Sequence, residues 1–127
     1  MDAPIILVVE DEPLLQILAE ETLLDGGFEA AVVASGEEAV TLLKDHQGKY
    51  RALVTDINLK SKMDGWEVAQ NAREIEPEFP IVYMSGADAA DWTSKGVPNS
   101  VMLSKPFAPA QLITALSNLL NSKTPTT

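Results

Sequence analysis

Hydrophobic and polar positions divide the chain into five short apolar runs separated by segments with helical spacing. The predicted strands are Ile5–Val9, Phe28–Val33, Ala52–Thr55, Ile81–Met84 and Val101–Leu103. The first, third and fourth runs are apolar without alternation, which is typical of strands that are buried on both faces of a sheet. We therefore expect these three strands to lie inside the sheet.

The segments between the runs carry helix start and stop signals. The first helix is predicted to begin at Pro13, a residue suited to the first helical position, and to end at Gly26-Gly27. One side of it is expected to carry Leu14, Leu15, Leu18 and Leu23. The other helices are predicted after the capping-box pattern Ser35-Gly36-Glu37-Glu38, over Trp66–Ile75, over Asp88–Ser94, and from Pro109 onward.

Strands that alternate with helices at this spacing imply an α/β fold, a parallel sheet with helices on both faces. The 127 residues suit a single domain, with a core over about residues 4–121 and a flexible polar tail over residues 122–127. The chain contains no repeat or low-complexity segment. We expect no second domain.

The composition of the chain argues against several classes of function. The formal charge of −10, from 19 acidic and 9 basic residues, disfavours binding to the phosphates of nucleic acids. The absence of cysteine excludes a disulfide-stapled fold. Met1-Asp2-Ala3-Pro4 lacks the basic region of a signal peptide, and the apolar run after it is too short to span a bilayer. We expect a soluble, cytoplasmic protein that binds neither nucleic acid nor membrane.

Polar side chains stand where the predicted strands end. In doubly wound sheets the binding crevice lies outside the carboxyl ends of the strands, so these side chains are expected to share one edge. The second strand ends in Ala34-Ser35 and contributes little, as expected of an outlying strand. The other strand ends supply Glu10, Asp11 and Glu12, then Asp56, then Ser85, and finally Ser104 and Lys105.

This set of groups has the chemistry of a phosphoryl-transfer site. Two unit charges about 4 Å apart repel by roughly 4 kcal/mol at an effective dielectric constant of about 20, and a divalent cation relieves that repulsion. Ligands that are all oxygen favour Mg²⁺ over zinc, although Mn²⁺ or Ca²⁺ could replace it in a crystal. Asp56 is then the candidate nucleophile, Lys105 a neutralising cation and Ser85 a hydrogen-bond donor.

Each residue alone also has a simpler interpretation. Asp56 could be a turn or cap residue, and Glu10, Asp11 and Glu12 could only favour the positive end of the first helix dipole. Lys105 could be a solvated loop residue and Ser85 part of a plain turn. The coincidence of all these groups at one sheet edge favours a site. His46 is interpreted as exposed and structural.

At these residues the sequence resembles the bacterial two-component response-regulator receiver family, over about residues 4–121. The resemblance rests on five stretches in order, Val8–Pro13, Leu53–Leu59, Met63–Gly65, Met84–Gly86 and Lys105–Phe107. It implies a flavodoxin-like (βα)₅ fold with strand order 2-1-3-4-5. It also implies a switch that accepts a phosphoryl group from a sensor histidine kinase or a histidine phosphotransfer protein.

The resemblance assigns a role to each residue of the set. Asp56 would be the phosphoacceptor, and Lys105 would contact the phosphoryl group. The metal ligands would be Glu10, Asp11, Asp56 and the backbone carbonyl of Asn58. Ser85 would be the switch hydroxyl. Members of the family phosphorylate and usually dephosphorylate themselves, so the chain is not expected to be a turnover enzyme.

Three features depart from the family pattern. The loop Leu59–Gly65 is basic, with Lys60 and Lys62, and is one residue longer. Met102 occupies the position where the family often has a switch aromatic. The fourth helix is short, so a dimer face built on helices four and five could be altered.

The site residues and the resemblance together imply a two-state switch whose output is a contact with another protein, a phosphorelay step or a phosphate sink. The chain would act as a monomer or as a phosphorylation-dependent dimer. Two alternatives remain. One is a small phosphohydrolase with Asp56 as nucleophile, although haloacid-dehalogenase-like enzymes need a second acid where this chain has Asn58. The other is a receiver-like module that binds its partner without phosphorylation.

Overall fold

The computed structural model describes residues 3–86 and 89–122, which form a five-stranded parallel sheet with helices on both faces. The strands are β1 (Ile5–Val9), β2 (Glu29–Val33), β3 (Ala52–Asp56), β4 (Ile81–Ser85) and β5 (Val101–Ser104). The helices are α1 (Pro13–Asp25), α2 (Gly36–Asp45), α3 (Gly65–Ile75), α4 (Trp92–Lys95) and α5 (Pro109–Ser122). The order β2-β1-β3-β4-β5 confirms the predicted strand order.

Two apolar layers cover the two faces of the sheet, because successive side chains of a strand point to opposite faces. In β1, Leu7 and Val9 enter the layer under α2 and α3, and Ile6 and Val8 enter the layer under α1 and α5. The helices contribute Ala39, Leu43, Val68 and Ala69 to the first layer and Leu23, Leu112 and Leu116 to the second. Burial on both faces explains the continuous apolar runs of β1, β3 and β4.

The leucines predicted on one side of α1 differ in burial. Leu23 is the buried residue of this helix, whereas Leu14 and Leu18 are 64% and 49% exposed. Ile17 and Leu24 are exposed as well. Apolar residues surround α1 on almost every side, so their spacing could not indicate which side faces the sheet.

Side-chain caps begin α2 and α3. Ser35 Oγ accepts a hydrogen bond from the Glu38 N–H at 3.2 Å, as its position predicted, but the Glu38 carboxylate accepts from the Ser35 hydroxyl rather than from its backbone. The complete capping box lies at α3, where the Asp64 and Glu67 side chains each accept from the other's backbone N–H. This box fixes the start of α3 beside the end of β3.

The segment before β5 is less regular than predicted. A 3₁₀ turn at Ala89–Asp91 precedes the single turn of α4, and Asp88, the predicted start of this helix, lies outside the described residues. The helix α5 begins at Pro109 as predicted and includes Ser122, so the predicted tail falls mostly on residues 123–127, which also lie outside. Among the helices described, none has the length and apolar character needed to cross a membrane.

Candidate functional site

Three carboxylates meet at the carboxyl edge of the sheet. Glu10 and Asp11 follow β1, and Asp56 is the last residue of β3, one residue beyond the predicted strand end. The β1–β3 register pairs Val9 with Thr55, so the residues that follow them, Glu10 and Asp56, lie side by side. One carboxylate oxygen from each of Glu10, Asp11 and Asp56 lies within 4.8 Å of the others. We refer to these three residues as the acidic cluster.

Lys105 provides the positive charge that faces the acidic cluster. It follows β5, and its backbone N–H donates to the Ser85 carbonyl at 2.8 Å. Its Nζ lies 3.2 Å from Asp56 Oδ2 and 3.6 Å from Glu10 Oε1. One ammonium against three carboxylates leaves excess negative charge when all four groups are ionised. The structure therefore brings four of the predicted site residues together from three strands.

Glu10 is the most deeply buried residue of the acidic cluster. Burial raises the pKa of the Glu10 carboxyl above its usual value. The hydrogen bond from the Glu12 N–H and the Lys105 ammonium oppose this shift, and the charges of Asp56 and Asp11 add to it. An oxygen-only donor set with surplus negative charge fits a hard divalent cation such as Mg²⁺.

Backbone amides hold each carboxylate in place. Asp11 Oδ2 accepts from the Lys60 N–H at 2.7 Å, and Glu10 Oε2 accepts from the Glu12 N–H at 3.2 Å. Asp56 Oδ1 accepts from the Asn58 N–H at 3.4 Å. The loop that carries Lys60 thus supports the acidic cluster through its main chain, a contact that side-chain chemistry could not reveal in the sequence.

The other predicted site residues occupy neighbouring positions. Ser85 is buried at the end of β4, one residue beyond Met84, which pairs with Asp56 in the β3–β4 register. Asn58 lies at the site through its N–H, and the role of its carbonyl as a metal ligand stays a prediction. Met102 is half-buried on β5, in register with Tyr83, and packs against the layer under α3. His46 is exposed at the end of α2.

The start of α3 rests directly on the chain that carries Asp56. The Gly65 N–H donates to the Ile57 carbonyl at 2.9 Å. A Cβ atom at Gly65 would overlap the Asp56 carbonyl oxygen and lie 2.8 Å from the Ile57 Cα. Only glycine allows this close approach of two backbone segments. The glycine at the first position of α3 is therefore explained by the packing of the site.

An apolar groove of about 460 Å³ opens beside the acidic cluster, between α1 and α5. The groove is lined by the apolar residues Leu15, Leu18, Met84, Phe107 and Leu112, and also by Glu10 and Lys105. Leu14 and Ile17 of α1 are exposed as well. Surfaces of this kind often mark sites of protein contact.

Comparisons with known proteins agree on one family. The family model described as the response regulator receiver domain matches residues 6–117. The response regulator receiver protein CpdR of Brucella abortus is 29% identical, over 91% of this chain and 95% of that protein. The chain spans much less of other curated relatives, covering 56% of the regulator ycf29 of Porphyra purpurea and 13% of the sensor kinase CckA of Brucella abortus.

Solved structures share the fold. A response regulator receiver protein from Sinorhizobium medicae is 48% identical with a TM-score of 0.92, over 96% of this chain and 98% of that one. The receiver domain of the sensor histidine kinase PA1611 from Pseudomonas aeruginosa is 27% identical with a TM-score of 0.80, over 94% and 98% of the two chains. Its structure has a magnesium ion coordinated in the active site cleft.

The contact at Gly65 generates a testable prediction. The substitution Gly65→Ala forces the start of α3 away from the Asp56 carbonyl, and we expect it to lower the free energy of unfolding by about 1–3 kcal/mol, the usual cost of overpacking. Urea denaturation followed by circular dichroism measures this. The matched control is Gly86→Ala, because a Cβ there meets only the Lys105 Cβ, at 4.0 Å. Equal stability of the two variants would contradict the packing described here.

Proposed function

Because the chain belongs to the response regulator receiver family, we propose that it is a phosphorylation-dependent switch and that Asp56 is its phosphoacceptor. The observation that carries the proposal is the contact of the Asp56 carboxylate with Lys105, inside a group of three acids at the sheet edge. A carboxylate that is held in position and partly accessible is a competent nucleophile toward phosphorus.

The proposed phosphoryl transfer is a single covalent step. A carboxylate oxygen of Asp56 forms the new O–P bond while the P–N bond of a phosphohistidine breaks, and the donor imidazole leaves with the electron pair of that bond. With acetyl phosphate as donor, the P–O bond breaks and acetate leaves. Lys105, 3.2 Å from Asp56 Oδ2, neutralises charge on the incoming phosphoryl oxygens. The Ser85 hydroxyl, at the end of the adjacent strand, is the proposed hydrogen-bond donor to the product.

We propose Mg²⁺ as the cation of the acidic cluster, held by Glu10, Asp11, Asp56 and the Asn58 carbonyl. When bound, it neutralises charge on the carboxylates and on the phosphoryl oxygens during transfer. The support is the excess negative charge of the donor set and the fixed position of each carboxylate on a backbone N–H. The magnesium ion in the related receiver domain of PA1611 agrees with this choice.

The proposed donor is a sensor histidine kinase or a histidine phosphotransfer protein. The exposed apolar residues at the start of α1, three to six positions after Asp11, are the proposed docking surface for this donor. A docked donor would cover Leu14 and Ile17 and bring its phosphohistidine over the acidic cluster. Family membership and Asn58, where a phosphohydrolase of the haloacid-dehalogenase type needs an acid, make the hydrolase alternative weaker.

The acceptor assignment predicts the result of labelling. Wild-type protein incubated with Mg²⁺ and acetyl phosphate is expected to gain the mass of one phosphoryl group, and Asp56→Asn to gain none, because an amide is a poor nucleophile. Intact-protein mass spectrometry measures both. The control Asp45→Asn removes an exposed acid at the end of α2 and should label as the wild type does. Undiminished labelling of Asp56→Asn would refute the assignment, and a wild type that no donor labels would favour the binding-module alternative.

The metal assignment predicts selective loss of affinity. We expect Asp11→Asn to weaken Mg²⁺ binding by roughly tenfold or more, because one charged ligand is lost from the acidic cluster. Titration of Mg²⁺ at constant ionic strength, followed by the fluorescence of Trp66 near the site, measures the affinity. Glu29→Gln, an exposed acid at the start of β2, changes the net charge equally and should bind Mg²⁺ as the wild type does. Equal affinities in both variants would count against the site.

The docking surface predicts a donor-specific defect. Leu14→Glu is expected to slow transfer from a phosphorylated histidine kinase that labels the wild-type chain, by about tenfold or more if a well-packed contact is lost. Labelling by acetyl phosphate should be unchanged. Leu24→Glu is the matched control, because Leu24 is also exposed but lies about 15 Å further along α1. A defect that is equal in both variants, or equal with both donors, would argue against docking at this end of α1.

A further inference from the structure

We propose that the buried hydroxyl of Tyr83 is a positioning group that transmits the state of Asp56 to the surface around α4. This inference rests on the proposed function, since it concerns the consequence of phosphorylation at Asp56. It follows from an unbroken series of described contacts that begins at the backbone of Asp56 and ends at the half-exposed indole of Trp92.

The first contact links Asp56 to α3. The backbone of Gly65 lies so close to the Asp56 carbonyl that no side chain fits between them, and its N–H donates to the Ile57 carbonyl at 2.9 Å. A shift of the main chain at Asp56 must therefore move the first turn of α3. Trp66, the second residue of that turn, moves with it.

The second contact links α3 to β4. The ring centroids of Trp66 and Tyr83 are 4.7 Å apart at an interplanar angle of 55°, and both side chains are buried. Closely packed interiors transmit displacement because they contain little free volume. Tyr83 also pairs with Met102 in the β4–β5 register, and both side chains belong to the apolar layer under α2 and α3.

The third contact links Tyr83 to the segment after α4. The Tyr83 hydroxyl oxygen accepts a hydrogen bond from the Val97 N–H at 3.0 Å. Burial raises the pKa of the Tyr83 hydroxyl above its usual value, and the Val97 bond and the Arg73 guanidinium oppose this shift to a lesser degree. The hydroxyl thus stays protonated at neutral pH and acts as a fixed neutral acceptor.

Val97 is held on its other side as well. The Ser100 hydroxyl donates to the Val97 carbonyl at 2.6 Å and accepts from the Trp92 indole N–H at 2.9 Å. Trp92 is 38% exposed, so this bond reaches the surface. Tyr83 and Trp92 are therefore joined through the backbone and side chain of only two intervening residues.

Val97 lies between α4, which is weakly packed, and the residues after it, which are hydrogen-bonded to Arg73. Arg73 of α3 donates to the Pro98 carbonyl at 2.6 Å and to the Asn99 carbonyl at 3.3 Å, which ties the following residues to the body of the protein. The preceding helix α4 is one turn long and contains no buried residue. Segments with few buried contacts open at low free energy, so α4 is the element that a change at Val97 can displace.

Nuclear magnetic resonance tests this inference on the intact chain with beryllofluoride and Mg²⁺ as the phosphoryl mimic. In the wild type, the amide signals of Asn58 and Gly65 report binding at Asp56, and the Trp92 indole N–H signal reports the surface. We expect all of them to shift. In Tyr83→Phe, the Asn58 and Gly65 shifts should persist while the Trp92 shift is lost, because the acceptor for the Val97 N–H is missing.

A matched control defines the route. Tyr50→Phe makes the same change in another buried ring, so it should retain the Trp92 shift. Ser100→Ala leaves the buried ring intact and provides a second test. In this variant, the Val97 amide signal should still respond to the mimic and the Trp92 indole signal should not.

The outcomes separate the two proposals. If Trp92 shifts as fully in Tyr83→Phe as in the wild type, this inference is overturned and the proposed function stands. The inference is overturned in the same way if Trp92 of the wild type never responds while Asn58 does. If the wild-type Asn58 and Gly65 signals do not respond to the mimic, the proposed function fails and this inference fails with it.

Discussion

The mutual repulsion of Glu10, Asp11 and Asp56 is the constraint on which the rest of the structure depends. Three carboxylates lie within 4.8 Å of one another, and Lys105 is the ammonium that faces them. Such an arrangement does not favour stability, because burial and like charges both oppose ionisation. It persists because backbone N–H groups from Glu12, Asn58 and Lys60 hold each carboxylate in place. Excess negative charge that is fixed in this way is the main support for the proposed cation site.

The sheet provides the rigid base for this arrangement. Asp56 has little conformational freedom because β3 is buried between two strands. The backbone of Gly65, at the start of α3, packs directly against the Asp56 carbonyl. In contrast, the groups that surround the site are irregular or weakly packed. The apolar surface of α1 is exposed, and α4 is reduced to one turn. The proposed switch would need both properties, because its chemistry requires fixed groups and its response requires an element that can move.

The sequence predicted the parallel sheet and the meeting of the acids with Lys105, because both follow from general rules. Continuous apolar runs indicate central strands, and residues after such strands share one edge. The spacing could not indicate which side of α1 faces the sheet, because leucines such as Leu14 and Leu18 occur on a helix that is apolar almost all round. Other contacts could not be predicted from the sequence. The bond from the Lys60 N–H to Asp11 is made by the main chain, and the contact of Trp66 with Tyr83 depends on how α3 lies across β4. Spacing along a sequence does not encode such tertiary detail.

A crystal structure of the protein with Mg²⁺ and beryllofluoride tests the central claim most directly. We expect one cation bound by carboxylate oxygens of Glu10, Asp11 and Asp56, and the beryllofluoride group on Asp56 in contact with Lys105 Nζ. A structure in which the cation lies elsewhere, or in which Asp56 carries no adduct while Lys105 points away from it, would contradict the claim.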